Sequence, residues 1–131
     1  MKYDETDKKI LAALREDSRD RLISYASRTG IPKSTVHERL RKLRSAGVRC
    51  LPLLDWPKLG YGISVWFLVP YEPKLAEYDC VNTAQHVTPN ALLLECIFST
   101  MKEVEQFKEH IHAGRYFNVI ETLKKEGFVP G

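Results

Sequence analysis

Apolar residues recur at helical spacing through the first 48 residues, and this pattern predicts three short helices. Asp4 is a suitable N-cap for the first helix, with Asp7 favourably placed in its first turn. The apolar face of this helix carries Ile10, Leu11 and Leu14. A polar break at residues 17–20 is expected to end it.

The second predicted helix runs from about Arg21 to Thr29. Gly30 follows it directly, and glycine readily takes the left-handed conformation that closes a helix C-terminus. The residues expected to face inward are Leu22, Ile23 and Ala26.

The stretch from Arg28 to Val48 has the pattern of a helix-turn-helix. Gly30 supplies a sharp turn, and Pro32 stands at the start of the next helix, where its missing N–H costs nothing. From Lys33 onward the apolar residues fall on one helical stripe: Val36, Leu40 and Leu43. The helix is predicted to end at Ala46-Gly47, with Val48 folding back onto it.

The face opposite this stripe is polar and predicts contact with the DNA major groove. It carries Ser34, Glu38, Arg41 and Ser45, flanked by Thr35, His37 and Lys42. The predicted phosphate contacts are Lys33, Arg41, Lys42 and Arg28, and the predicted base contacts are Ser34, Thr35, His37 and Glu38. For Glu38 the alternative is a simple solvated side chain.

After Gly47 the apolar residues no longer recur at helical spacing, and their pattern becomes typical of strands. A short apolar run, Cys50–Leu54, leads into a turn or single helical turn at residues 55–60. Two nearly continuous apolar runs, Ile63–Val69 and Ala91–Phe98, predict central strands that need cover on both faces. The Pro89-Asn90 pair suits a tight turn, so the second run closes a hairpin that begins near Cys80.

The remaining elements follow from capping and spacing. Residues 73–78 allow a helix of about two turns at most. Thr100 to Glu103 reads as a capping box that opens a helix, which Gly114 is expected to stop. Its buried face is predicted to hold Val104, Phe107 and Ile111. A last strand is predicted from Tyr116 to Leu123.

The composition is that of a globular chain of 131 residues, 44% hydrophobic and 28% charged. No apolar run approaches a membrane span, and the N-terminus lacks the apolar core of a signal peptide, so a cytoplasmic protein is expected. Three scattered cysteines predict reduced, mostly buried thiols. His110 and His112 do not share a helical face, which argues against a metal site, and no cofactor is indicated.

Charge divides the chain unevenly. Residues 1–50 hold 13 basic and 7 acidic side chains, whereas residues 51–131 hold 7 basic and 10 acidic ones. The first part therefore favours attraction to a polyanion, and the second part favours no contact with it.

Three segments resemble the Lrp/AsnC, or feast/famine, family of transcription regulators. They are DETDKKILAALRED, RTGIPKSTVHERLRKLRSAGV and Asp55-x-x-x-Leu59-Gly60-Tyr61. The resemblance implies an α+β chain with a winged-type helix-turn-helix at residues 1–49, a linker strand and turn at 50–61 and a ferredoxin-like βαββαβ domain at 62–131. It also implies a homodimer or higher homo-oligomer on double-stranded DNA, with a small amino-acid-like effector.

Two features depart from the family pattern. Only residues 70–90 separate the two central strands, so the first helix of the second domain must be short or lost. Similar proteins carry Gly-Asp-Tyr-Asp or a close variant before the second central strand, where this chain has Thr88-Pro89-Asn90-Ala91. The effector site is therefore expected to be altered.

Two other functions remain open on the same scaffold. Some similar proteins act as tetrapyrrole (sirohaem) decarboxylases and need basic and histidine side chains in the second domain. The candidates here are few: His86, His110, His112 and Arg115. No paired carboxylates or nucleophile-base pair stands out, which favours a protein that is not an enzyme. The third function is an interaction module that does not bind DNA.

Overall fold

A computed structural model of the protein describes residues 2–128. The chain divides into two compact units. The helix unit comprises residues up to Leu53 together with the chain from Lys124 onward, and the sheet unit comprises Leu54–Leu123.

The helix unit contains the three predicted helices, α1 (Glu5–Glu16), α2 (Leu22–Thr29) and α3 (Lys33–Ser45). Asp4 caps α1 in a reciprocal box, because its carboxylate accepts from the Asp7 N–H while the Asp7 carboxylate accepts from the Asp4 N–H, both at 3.0 Å. The core of the unit is formed by Ile10, Ala13, Leu14, Tyr25, Val36, Leu40 and Leu43. The predicted apolar stripe of α3 is confirmed.

The turns of this unit also follow the prediction. Gly30 adopts a φ of 72°, the left-handed conformation that lets α2 end and the chain turn into α3. After α3 the Val48 N–H donates to the Leu43 carbonyl at 2.9 Å, and the Val48 side chain packs against the core. This contact closes the helix as a C-cap motif does.

The prediction for the inward face of α2 was wrong at Ile23, which is 62% exposed. Tyr25 is buried instead, at 2% exposure, and Leu22 and Ala26 are half-buried. The Tyr25 hydroxyl donates to the Asp17 carbonyl and accepts from the Asp20 N–H. These bonds satisfy the phenol in the core, which periodicity alone does not reveal.

The sheet unit is built around four strands: β1 (Ile63–Pro70), β2 (Val81–Thr88), β3 (Ala91–Phe98) and β4 (Arg115–Asn118). They lie in the order β2-β3-β1-β4, and all neighbours are antiparallel. α4 (Met101–Lys108) connects β3 to β4, and a 3-10 helix at Pro73–Glu77 takes the place of the other crossover helix. The predicted ferredoxin-like fold with a shortened first helix is confirmed.

The central strands are buried on one face of the sheet. On that face β1 and β3 pack Val65, Phe67, Val69, Leu92, Leu94, Cys96 and Phe98 against Leu75, Val104, Phe107 and Ile111. The alternate residues point to the other side and are half-buried: Ser64, Trp66, Leu68, Leu93, Glu95 and Ile97. Phe117 of β4 is paired with Trp66 and is 50% exposed. We call these seven residues the open face.

Four predictions about the ends of elements were wrong. α4 ends at Lys108 rather than near Gly114, whose N–H instead donates to the Leu68 carbonyl at 3.1 Å and joins the sheet. β4 has four residues and ends at Asn118, because the chain after Val119 finds no ladder partner among the described residues. The α4 capping box was predicted correctly in one half and wrongly in the other. Thr100 caps the helix by accepting from the Glu103 N–H, but the Glu103 carboxylate accepts from the Ser99 N–H at 3.1 Å instead of the Thr100 N–H.

The fourth correction concerns the linker. Residues 46–62, all of which the structure describes, contain no strand, since a strand requires a hydrogen-bonded neighbour. The 3-10 turn Pro57–Leu59 agrees with the predicted helical turn. The cysteines are free thiols, as predicted, but Cys96 alone of the three is buried; Cys50 is exposed and Cys80 is half-buried.

Candidate nucleic-acid interface

α3 presents a polar outward face because its apolar stripe is held in the core of the helix unit. Val36, Leu40 and Leu43 are each at most 4% exposed. The exposed side chains of the helix are Lys33, Ser34, His37, Glu38, Arg41, Lys42, Arg44 and Ser45, and Thr35 is half-buried. The candidate residues predicted on α3 therefore share one side of it, where they are free to approach a ligand.

Arg39 is the one cation of α3 that turns toward α1. Its guanidinium lies 3.1 Å from the Asp4 carboxylate and 3.3 Å from that of Asp7. Asp7 is fully buried, and one of its oxygens has no hydrogen-bond partner. The Asp7 N–H bond, supported by the nearby Arg39 charge, lowers the pKa of Asp4 below its usual value. Arg39 thus ties α3 to the capping box of α1 and leaves the outward face to other cations.

Arg28 is also held by carboxylates. Its two terminal nitrogens lie 3.0 Å from Glu16 and 3.2 Å from Asp20, and its guanidinium stands 5.2 Å from the centre of the Tyr25 ring. Hydrogen bonds from Ser24 and from the Arg21 N–H lower the pKa of Asp20, and the Arg28 charge adds to them. A phosphate contact by Arg28 would compete with these pairs.

The exposed pair of Glu38 and Lys42 joins two candidate DNA contacts, with 3.4 Å between the Lys42 ammonium and the Glu38 carboxylate. Such an i,i+4 pair on a helix surface is worth about 0.3–0.5 kcal/mol and exchanges readily with another partner. It therefore places no strong restraint on either side chain.

The side chains of Lys33, Arg41 and Arg44 have no ion-pair or hydrogen-bond partner among residues 2–128. Arg44 was missed by the sequence-based prediction, although its spacing of three from Arg41 places the two on neighbouring positions of one helix flank. Unpaired cations on a polar helix face are suited to bind phosphate groups.

A groove of about 510 Å³ runs along that flank of α3. Its rim includes the exposed side chains of His37, Arg41 and Arg44. Its floor includes the buried Tyr25 and Leu40 and the half-buried Leu22. The groove lies entirely within the helix unit.

Two kinds of structural feature are absent from the described residues 2–128. None of the helices there is long and apolar enough to cross a membrane. No three metal-binding side chains of the His, Cys, Asp or Glu type lie together there.

Comparisons with known proteins connect this geometry to function. Residues 3–48 match a family model described as winged helix-turn-helix DNA-binding. The chain is 41% identical over 68 residues to the HTH-type transcriptional regulator FL11 of Pyrococcus horikoshii, an alignment that covers 50% of this chain and 45% of FL11. The chain thus spans about half the length of the first curated relatives that it matches.

Two further similarities extend into the sheet unit. The regulatory protein AsnC of Haemophilus influenzae is 31% identical over 113 residues, which cover 77% of this chain and 75% of that protein. A transcriptional regulator of Neisseria meningitidis, solved in complex with L-methionine, superimposes with a TM-score of 0.83 at 21% identity. That superposition covers 98% of this chain and 97% of the other, and it shows a shared fold.

Proposed function

The chain belongs to the Lrp/AsnC family of transcriptional regulators, and we propose that it regulates transcription by binding double-stranded DNA at specific promoter sites. The observation that carries this proposal is the outward face of α3. Its polar and cationic side chains are exposed because the opposite stripe is buried in the core. An exposed helix of this kind fits the major groove.

The side chains of α3 have two proposed roles: some position the helix on the DNA backbone, and others read the DNA sequence. Lys33, Arg41 and Lys42 neutralise phosphates and set the register of the helix on the duplex. Ser34, Thr35, His37 and Glu38 reach base edges, and Glu38 would leave Lys42 to accept a hydrogen bond from a cytosine amino group. Since Arg28 is paired with Glu16 and Asp20, Arg44 replaces it as the fourth proposed phosphate contact.

The proposed DNA-binding form is a dimer, and the open face supports this. Trp66, Leu68, Leu93, Ile97 and Phe117 form an apolar surface on the central and edge strands of the sheet. No residue of that face is buried, while α4 and the 3-10 helix pack on the other side. A second copy seated there would bury it, and the two α3 helices would then read half-sites about 34 Å apart or a multiple of that distance.

A small effector of amino-acid type is proposed for the sheet unit. The Neisseria meningitidis neighbour, which shares the fold, was solved with L-methionine. In this chain the β2–β3 turn consists of Pro89-Asn90, and the Asn90 carbonyl accepts from the Tyr71 N–H at 2.8 Å. The curated relatives are named as regulators, which favours transcriptional regulation over tetrapyrrole decarboxylation as the function of this chain.

Salt-dependent binding to the promoter region upstream of the chain's own gene tests the DNA proposal. Each phosphate contact contributes about 1 to the slope of log K against log salt, so Arg41→Ala with Lys42→Ala should reduce the slope by about 2. Lys58→Ala with Lys102→Ala removes the same charge from exposed positions of the sheet unit and should leave the slope unchanged. An unchanged slope in the α3 variant would refute the proposed contact face.

A further inference from the structure

The groove beside α3 combines a cationic rim with an apolar floor. His37, Arg41 and Arg44 follow one another at spacings of four and three, so they form a row along one flank of the helix. Neither arginine has a carboxylate partner among residues 2–128. The charges of Arg41 and Arg44, three residues apart on the helix, repel each other, and a bound anion would relieve that repulsion.

The one carboxylate that lines the groove is already occupied. One oxygen of Asp20 accepts from the Arg21 N–H at 2.8 Å. The other accepts from the Ser24 hydroxyl at 2.5 Å and from Arg28 at 3.2 Å. All of these contacts are with Arg21, Ser24 and Arg28, so Asp20 forms no ion pair with the arginines of the rim among residues 2–128.

The floor supplies a second kind of contact. Tyr25 is 2% exposed and Leu40 is 4% exposed, and both border the groove together with Leu22. Sites for small molecules usually have a volume of about 300–1,000 Å³ and combine apolar walls with a few charged groups. A groove of about 510 Å³ with this lining meets both conditions.

We propose that the groove binds a small organic anion, a carboxylate or phosphate group on an apolar body, and that this ligand excludes DNA from α3. The anionic group lies between Arg41 and Arg44, which offer planar donors suited to bidentate bonds. The apolar body rests on Leu22, Tyr25 and Leu40. The exclusion of DNA rests on the proposed function, because His37, Arg41 and Arg44 also belong to the proposed DNA-contact face.

Binding is tested without DNA by nuclear magnetic resonance of the isotope-labelled full chain, with phenyl phosphate as the probe. We expect the signals of the groove residues to shift. Arg41→Gln with Arg44→Gln should weaken binding by about tenfold or more, since both charge-assisted contacts are lost. The matched control, Lys33→Gln with Lys42→Gln, removes equal charge from α3 outside the groove and should bind as tightly as the unaltered chain.

Three outcomes would overturn the site. The first is the absence of groove shifts up to about 10 mM probe, tenfold above a weak 1 mM dissociation constant. The second is equal weakening in the lysine control, which would indicate general charge attraction. The third is equally tight binding of inorganic phosphate, which would remove any role for the apolar floor.

Displacement of promoter DNA by phenyl phosphate tests the exclusion separately. Each protein is assayed at the salt concentration at which half of the DNA is bound, because the Arg41→Gln, Arg44→Gln variant lacks two proposed phosphate contacts. We expect the probe to release DNA from the unaltered chain but not from this variant. A ligand that occupies the groove while DNA stays bound would overturn the exclusion and leave the DNA proposal intact. A chain that binds the probe but no DNA would keep the groove site and refute the proposed function.

Discussion

The helix unit and the sheet unit bury their apolar residues in different ways. In the helix unit the stripes of three helices meet in one core, and the cations are left on the outside. In the sheet unit β1 and β3 are apolar on both sides, but α4 and the 3-10 helix cover one side alone. A short helix has one apolar stripe, which neighbouring helices of the same unit can cover. A central strand that is apolar on both faces needs a layer of structure on each side.

Substitutions on the open face are expected to have the largest effect, the loss of the proposed dimer. Trp66→Glu with Leu68→Glu would place two charges in the proposed dimer contact, where they would be desolvated without partners. Light scattering should then give the molar mass of one chain, 15.1 kDa, instead of at least twice that value. Lys102→Glu on α4 is the control and should keep the dimer. A variant that stays dimeric would show that the copies meet elsewhere.

A smaller effect is expected inside the helix unit. Arg39→Ala would leave the buried Asp7 carboxylate without its ion-pair partner. Because the Arg39 side chain is 28% exposed, we expect a loss of about 2 kcal/mol in the free energy of unfolding, below the range for fully buried pairs. Denaturant titration followed by circular dichroism measures it.

Lys42→Ala provides the comparison for this ion pair, because it breaks only the exposed contact with Glu38. Its expected cost is about 0.3–0.5 kcal/mol. Equal losses in the two variants would contradict the role of Arg39 in holding α3 to α1.

An effect smaller than that of Arg39→Ala is expected at one of two neighbours on α2. Tyr25→Phe removes the hydroxyl that binds Asp17 and Asp20, and it should cost about 1 kcal/mol of unfolding free energy. Ile23→Ser changes an exposed side chain and should stay within about 0.5 kcal/mol of the unaltered chain. The same denaturant titration separates the two. A larger loss at Ile23 would indicate that this exposed residue is covered by a partner in solution.

Local sequence patterns determined most of the elements. The Asp4 cap, the left-handed Gly30 and the stripe of α3 follow from contacts within a few residues, and the structure confirms each of them. The Pro89-Asn90 turn was predictable for the same reason, because a two-residue loop places the strands on either side in one hairpin. The resemblance to Lrp/AsnC regulators then supplied the ferredoxin-like fold of the second domain, which no local pattern contains.

Long-range contacts decided the rest. Arg39 and Arg41 are indistinguishable by charge. The packing of α3 against α1 pairs Arg39 with Asp4 and Asp7, whereas Arg41 has no ion-pair partner among residues 2–128. Tyr25 is buried because the backbone of residues 17–20 satisfies its hydroxyl, and β4 ends at Asn118, opposite Val65 of β1. Sequence periodicity records which side of an element is apolar, but the partner of each polar group is set by segments distant in the chain. That is why the positions of the helices were predictable and the groove with its exposed arginines was not.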